Sequence, residues 1–148
     1  MSQATEPTPG VTFSAGEASR RLGIEPAEHG EGAAVLRMTV PSAMVNGHGT
    51  AHGGCLFLLA GTAFACACTS QGPVTVAAGA GIVFVAPARE GGVPVASAEE
   101  RTRFGRSGVH DVTVRRDGDV VAEFRGRGRS VRETTARETP GTTTKESR

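Results

Sequence analysis

The run from His52 to Thr69, "HGGCLFLLAGTAFACACT", decides how the rest of the chain is read. From Gly54 to Thr69 apolar residues fall on every side of a helical wheel, so the segment predicts a helix buried all round rather than one with a wet face. Such a helix is the centre of a fold. Its start is also chemical: the unpaired N–H groups of a first helical turn and the positive end of the dipole attract anions, and Gly53-Gly54 lets a ligand approach the backbone closely. The run carries no carboxylate. A glycine, Gly61, sits in its middle, where it costs the helix about 1 kcal/mol relative to Ala.

Upstream, Ala33 to Val40 alternates, with Leu36, Met38 and Val40 on one face and Arg37 and Thr39 on the other, the period of a half-buried strand. Phe13 to Leu22 reads as a short helix, with Ser14 as N-cap and Glu17 three residues on, as in a capping box. Downstream of Gly72-Pro73, strand-like runs span Val74 to Val85, Val93 to Phe104, Val109 to Arg115 and Val120 to Gly128. Asp117-Gly118 marks a hairpin between the last two. One buried helix followed by antiparallel strands predicts an α+β fold in which the sheet curls around the helix. Its exposed edges predict association of copies through an edge. Residues 1–11 and 133–148 have almost nothing to bury and read as mobile tails, leaving one domain at 12–132.

Composition narrows the function classes. With 148 residues one domain is the default. Trp and Tyr are absent and Gly reaches 21, so the core must be built from small residues. A net charge of +1, from 16 basic and 15 acidic residues, argues against a general role on nucleic acid or a membrane surface. Cys55, Cys66 and Cys68 are odd in number and lack C-x-x-C spacing, which predicts neither a disulfide framework nor a zinc site and suits a reducing cytoplasm. The apolar run is shorter than the ~18 residues of a membrane span. His48 and His52 are four apart, but the glycines around them make a loop without further ligands, so no metal site is expected.

Several motifs in order, "NGHGTAHGG" at Asn46 to Gly54, "LFLLA" and "TAFACA" along the helix, "GPVTVAA", "IVFVAPA", "GVHDV" and "FRG" at Phe124 to Gly126, resemble the hotdog-fold thioesterases of the phenylacetic-acid-degradation (PaaI) type. The likeness runs from about Phe13 to Val131. It implies a hotdog fold, an antiparallel sheet wrapped around one long central helix, in copies whose sheets join into a dimer and often a tetramer. It also implies active sites at subunit interfaces, where a coenzyme A thioester, or one on an acyl carrier, is bound as substrate and no further cofactor is required. The thioester oxygen would be held by backbone N–H at the glycine pair, and a carboxylate on the partner helix would drive attack of water.

At the carboxylate position this chain has Gly61. Engineered removal, natural loss of hydrolysis and recruitment to another reaction of bacterial secondary metabolism all remain open. Thr69, Gly81, Pro94 and His110 also depart from the family pattern. The candidate catalytic set is Asn46, His52, Gly53, Gly61, Thr62 and His110, with Gly53 N–H as oxyanion donor. The hydroxyl of Thr62 could orient water or bond back to a helical carbonyl. His110 could replace the base or simply line a pocket. His52 fixes the loop by a hydrogen bond, and the cysteines pack. Gly54, Arg89, Arg103 and Arg106 are candidates for holding coenzyme A, the arginines through its phosphates. "FGRSG" at Phe104 to Gly108 is a weak phosphate-loop signal.

Overall fold

The computed structural model describes residues 16–70 and 74–131; the expected tails, the Ser14 cap and the Gly72-Pro73 turn lie outside them. Helix α1 (Glu17–Arg21) leads into β1 (Glu25–Gly30) and β2 (Ala33–Arg37). A 3-10 turn at Ser42–Met44 precedes the long helix α2 (Gly53–Thr69). Four strands follow, β3 (Thr75–Phe84), β4 (Val95–Phe104), β5 (Ser107–Arg116) and β6 (Asp119–Ser130). The strands form one sheet in the order β1-β2-β4-β5-β6-β3, each neighbouring pair antiparallel. Helix α2 packs on its inner face, so the molecule has the hotdog arrangement.

The inner face is selected by alternation. On β5, His110, Val112 and Val114 are buried, and on β6, Ala122, Phe124, Gly126 and Gly128. Leu36, Met38, Val40, Leu59, Val112, Val114 and Val121 are completely enclosed. Each large aliphatic group removed from water in this way contributes about 1.5–3 kcal/mol. Helix α2 approaches β6 closely because Gly126 has no side chain: a Cβ there would lie 2.8 Å from the Phe64 ring.

Two turns follow from backbone chemistry. Asp117 and Gly118 have φ of 52° and 87°, the paired positive angles of a type I′ hairpin. Gly105 at φ 60° opens the two-residue turn joining β4 to β5, so "FGRSG" is a hairpin rather than a phosphate loop.

The structure corrects the reading at four places. Strand β1 was not expected, because its six residues "EPAEHG" are all exposed and carry no apolar alternation. Helix α1 begins at Glu17 rather than near Phe13, and Gly16 caps it without a side-chain bond. Strand β4 begins at Val95 rather than Val93, since Pro94 has no N–H for the ladder. Its carbonyl still accepts from Met38 N–H at 3.3 Å, which prolongs the alternation of β2 through Val40 without regular pairing. Finally, α2 is not buried all round: Phe57 is 40% exposed, and Gly61, Thr62 and Ala65 are half-buried. The edge strand β3 covers that side of the helix incompletely and is itself largely exposed.

Candidate functional site

The start of α2 is held by its own cap. His52 accepts the Gly54 N–H on Nδ1 at 2.8 Å, which places the neutral ring's proton on Nε2. Its carbonyl accepts from Cys55 N–H at 2.9 Å. Gly54 therefore gives its N–H to His52 and has none for coenzyme A. Among the described residues Gly53 N–H makes no hydrogen bond, which leaves it as an unpaired donor in the first turn of a long helix. Gly53 also borders an open groove with Thr50, Ala51, Leu56 and the segment Phe84 to Ala88. A Cβ on Gly53 would come 2.9 Å from the tip of the Phe84 ring, so no larger residue fits without moving that ring.

The loop before the helix is organised by Asn46. Its Oδ1 accepts from His48 N–H, Thr50 N–H and the Thr50 hydroxyl at 2.9, 3.2 and 3.1 Å. The candidate side chain thus shapes the loop that delivers Gly53. Arg89 is tied to this loop by a backbone bridge to Thr50.

Gly61 lies two turns further along. Nothing stands within 4 Å of where its Cβ would be. It opens on a cavity of about 140 Å³, walled by Phe57, Phe64, Phe124 and Val76. The rings of Phe57 and Phe124 meet edge to face at 5.4 Å. Among the residues lining that cavity only Cys68 is titratable, and burial, with a smaller push from Glu100, raises its thiol to about 12. Cys66 is likewise pushed up by burial, to about 11, and all three cysteines are buried thiols outside any disulfide. They are packing groups, not nucleophiles.

Thr62 donates to Leu58 O at 2.7 Å, and its oxygen lies 2.8 Å from the Ser19 hydroxyl, which anchors α1 to α2. Its proton is committed to the helix. His110 is buried on β5, with Nδ1 3.7 Å from Cys68 Sγ and its ring against Phe64. It does not line the Gly61 cavity. Burial lowers its pKa, with Arg103 adding to the effect and Glu100 and Asp111 opposing it. Arg103 and Arg106 share a small cavity with His110, whereas Arg89 sits by the Asn46 loop and is not brought to them. Arg103 is paired with Glu100 at 3.2 Å, and that bond raises its pKa.

The aromatic walls were not singled out from the sequence. Phe84 meets Gly53 only because β3 ends beside the helix start, and nothing local in either segment signals that contact.

The pattern that defines the thioesterase superfamily matches residues 48–123, which includes the helix start, Gly61 and most of the sheet. This chain belongs to the thioesterase superfamily. It is 42% identical over 114 residues to the acyl-coenzyme A thioesterase PaaI of Escherichia coli, an alignment covering 76% of this chain and 81% of that protein. The solved structure of the E. coli PaaI protein superposes with a TM-score of 0.82 at 36% identity, over 93% of this chain and 94% of that one. A mutant of the phenylacetic acid degradation protein PaaI from Thermus thermophilus gives 0.76 at 32% identity, over 78% and 100%. Kinship with this superfamily supports a thioesterase-like function for this chain.

Proposed function

We propose that the chain binds aryl or arylacetyl thioesters of coenzyme A between two copies of itself, and hydrolyses them slowly because Gly61 stands where relatives of this type have a carboxylate. The observation that carries this is the unpaired Gly53 N–H at the helix start, bordering an open groove. A preorganised donor aimed at a developing oxyanion contributes about 3 kcal/mol to acyl transfer. Gly53 and Gly61 are eight residues apart on one helix, about 12 Å at 1.5 Å per residue. One thioester carbonyl cannot touch both, so a second copy would have to bring its own Gly53 near this Gly61. The exposed edge strand β3 supports such pairing.

A second reading is favoured by the apolar lining of the Gly61 cavity: with no base at hand, the chain holds a thioester without hydrolysing it, or directs it to a lyase, cyclisation or isomerisation step. Release of free coenzyme A from phenylacetyl-CoA by the natural chain and by Gly61→Asp separates the readings. A positioned base contributes about 10²–10⁴ in rate, and the open space at Gly61 accommodates the new side chain. A hundredfold rise supports slow hydrolysis through a missing base. Brisk turnover by the natural chain would sink it, and inactivity of both favours the non-hydrolytic reading.

A further inference from the structure

A second, smaller cavity of about 30 Å³ lies at the far end of α2, lined by Arg103, Arg106, Ser107, His110 and Ser130. Cys68 and Thr75 border both it and the apolar cavity at Gly61. We propose that this cavity is a subsite for a carboxylate at the distal end of the acyl group, so that the ligand is an acyl thioester whose acyl part is apolar in the middle and acidic at its tip. The inference rests on the thioester-binding reading above and names its substrate class.

Hydrogen-bond bookkeeping points to an acceptor. The Cys68 thiol keeps its proton, held there by burial, and can donate it to His110 Nδ1 at 3.7 Å. In the tautomer that accepts this bond, the neutral ring carries its own proton on Nε2. That atom is buried and has no partner among the described residues. His110 itself is only 3% exposed, so the ring cannot turn to bulk water to satisfy it. Two guanidinium groups line the same cavity. Arg103 is balanced by Glu100, whereas Arg106 forms no ion pair among the described residues. The carbonyl end of α2 offsets about half of that remaining charge. What is left is a donor-rich, net positive cavity beside an apolar one.

Distance distinguishes the two sources of an oxyanion. Gly61 and Cys68 are seven residues apart, about 10 Å along the helix; a 4-carboxyphenylacetyl group spans about 7.5 Å from its carbonyl carbon to the carboxylate oxygens, and a charge-assisted hydrogen bond of about 2.8 Å covers the remainder. The phosphates of coenzyme A stand on the other side of the sulfur, beyond the whole pantetheine arm. The acyl tip is therefore the better occupant.

The test uses non-hydrolysable ketone analogues of phenylacetyl-CoA and 4-carboxyphenylacetyl-CoA, titrated calorimetrically into the full chain. The proposal requires the carboxylated analogue to bind at least tenfold tighter, and the preference to persist when both are built on pantetheine without nucleotide phosphates. Arg106→Gln should narrow the ratio of the two affinities. Equal affinities in the natural chain would overturn the subsite while leaving thioester binding intact. Equal weakening of both analogues by Arg106→Gln would also overturn it, assigning that guanidinium to coenzyme A. If neither analogue binds, the thioester-binding reading falls and the subsite with it.

Discussion

In the proposed site Gly53 carries two constraints at once: its N–H must stay free of protein acceptors, and its α-carbon must lie under the Phe84 ring. Gly53→Ala should therefore displace Phe84 and lower the melting temperature, while any coenzyme A release falls as the oxyanion donor moves. Adding Phe84→Ala should return part of the lost stability by opening space for the methyl group, without restoring turnover, because the wall of the groove is then gone. Thermal melts and release assays on the single and double variants check both halves. His110 supplies a pH-dependent counterpart. Its folded-state pKa is lowered chiefly by burial, so below about 6.5 the unfolded chain binds the proton that the folded chain refuses. That contribution is complete above the unfolded value and is lost as the pH falls. The urea midpoint should drop between pH 7.5 and 5.5, and His110→Phe should flatten the slope. Asp111, whose pKa is lowered by its hydrogen bonds to Arg125, adds a similar loss only in the more acidic carboxylate range.

At the level of elements, α2 and β6 fit because large groups on the helix face small ones on the strand. Phe64 rests over Gly126, and Cys68 and Thr75 crowd Gly128. Gly126→Ala places a methyl 2.8 Å from the Phe64 ring and should cost about 1–3 kcal/mol, the usual penalty of overpacking, measured by urea denaturation. Gly61→Ala, where nothing lies within 4 Å, should instead be neutral or stabilising, by up to about 1 kcal/mol from helix propensity. The contrast between these glycines explains what the sequence could disclose. Helix α2 was legible almost to its ends because its apolar character is continuous, and the Asp117-Gly118 hairpin because few residue pairs accept two positive φ angles. Strand β1 was not legible, since a strand exposed on both faces has no period to read. The site divides in the same way. Gly53 follows from its place at a helix start, which is local information. The Phe84 lid over it, the aromatic walls at Gly61 and the position of His110 away from that cavity all depend on strand order, and a sheet that runs β1-β2-β4-β5-β6-β3 places distant segments side by side.

For the whole molecule, the length of α2 sets the problem. One helix carries both the proposed oxyanion donor, Gly53, and the proposed position of a missing base, Gly61, but holds them about 12 Å apart, so the proposed site needs the start of one helix beside the middle of another. Strand β3 is the part of this chain that favours the proposed pairing. It occupies one edge of the sheet, and Val76, Val83 and Phe84 are 48%, 64% and 51% exposed, a large apolar surface for an unpaired edge. Within β3 the register against β6 shifts between Ala77 and Gly79, so Ala78 has no opposite partner in the sheet. Ala78→Pro should consequently leave the internal ladder standing while spoiling the outer edge for a second copy. Under the proposed pairing through β3, sedimentation should show a dimer or larger for the natural chain and a monomer for the variant, with the far-ultraviolet dichroism unchanged. Placed in the Gly61→Asp background, the same substitution should abolish the gained release of coenzyme A, since the new carboxylate would have no Gly53 opposite it. A folded monomer that still hydrolyses phenylacetyl-CoA would show that one chain holds a complete site, and would require the oxyanion donor to be sought closer to Gly61 than the start of its own helix.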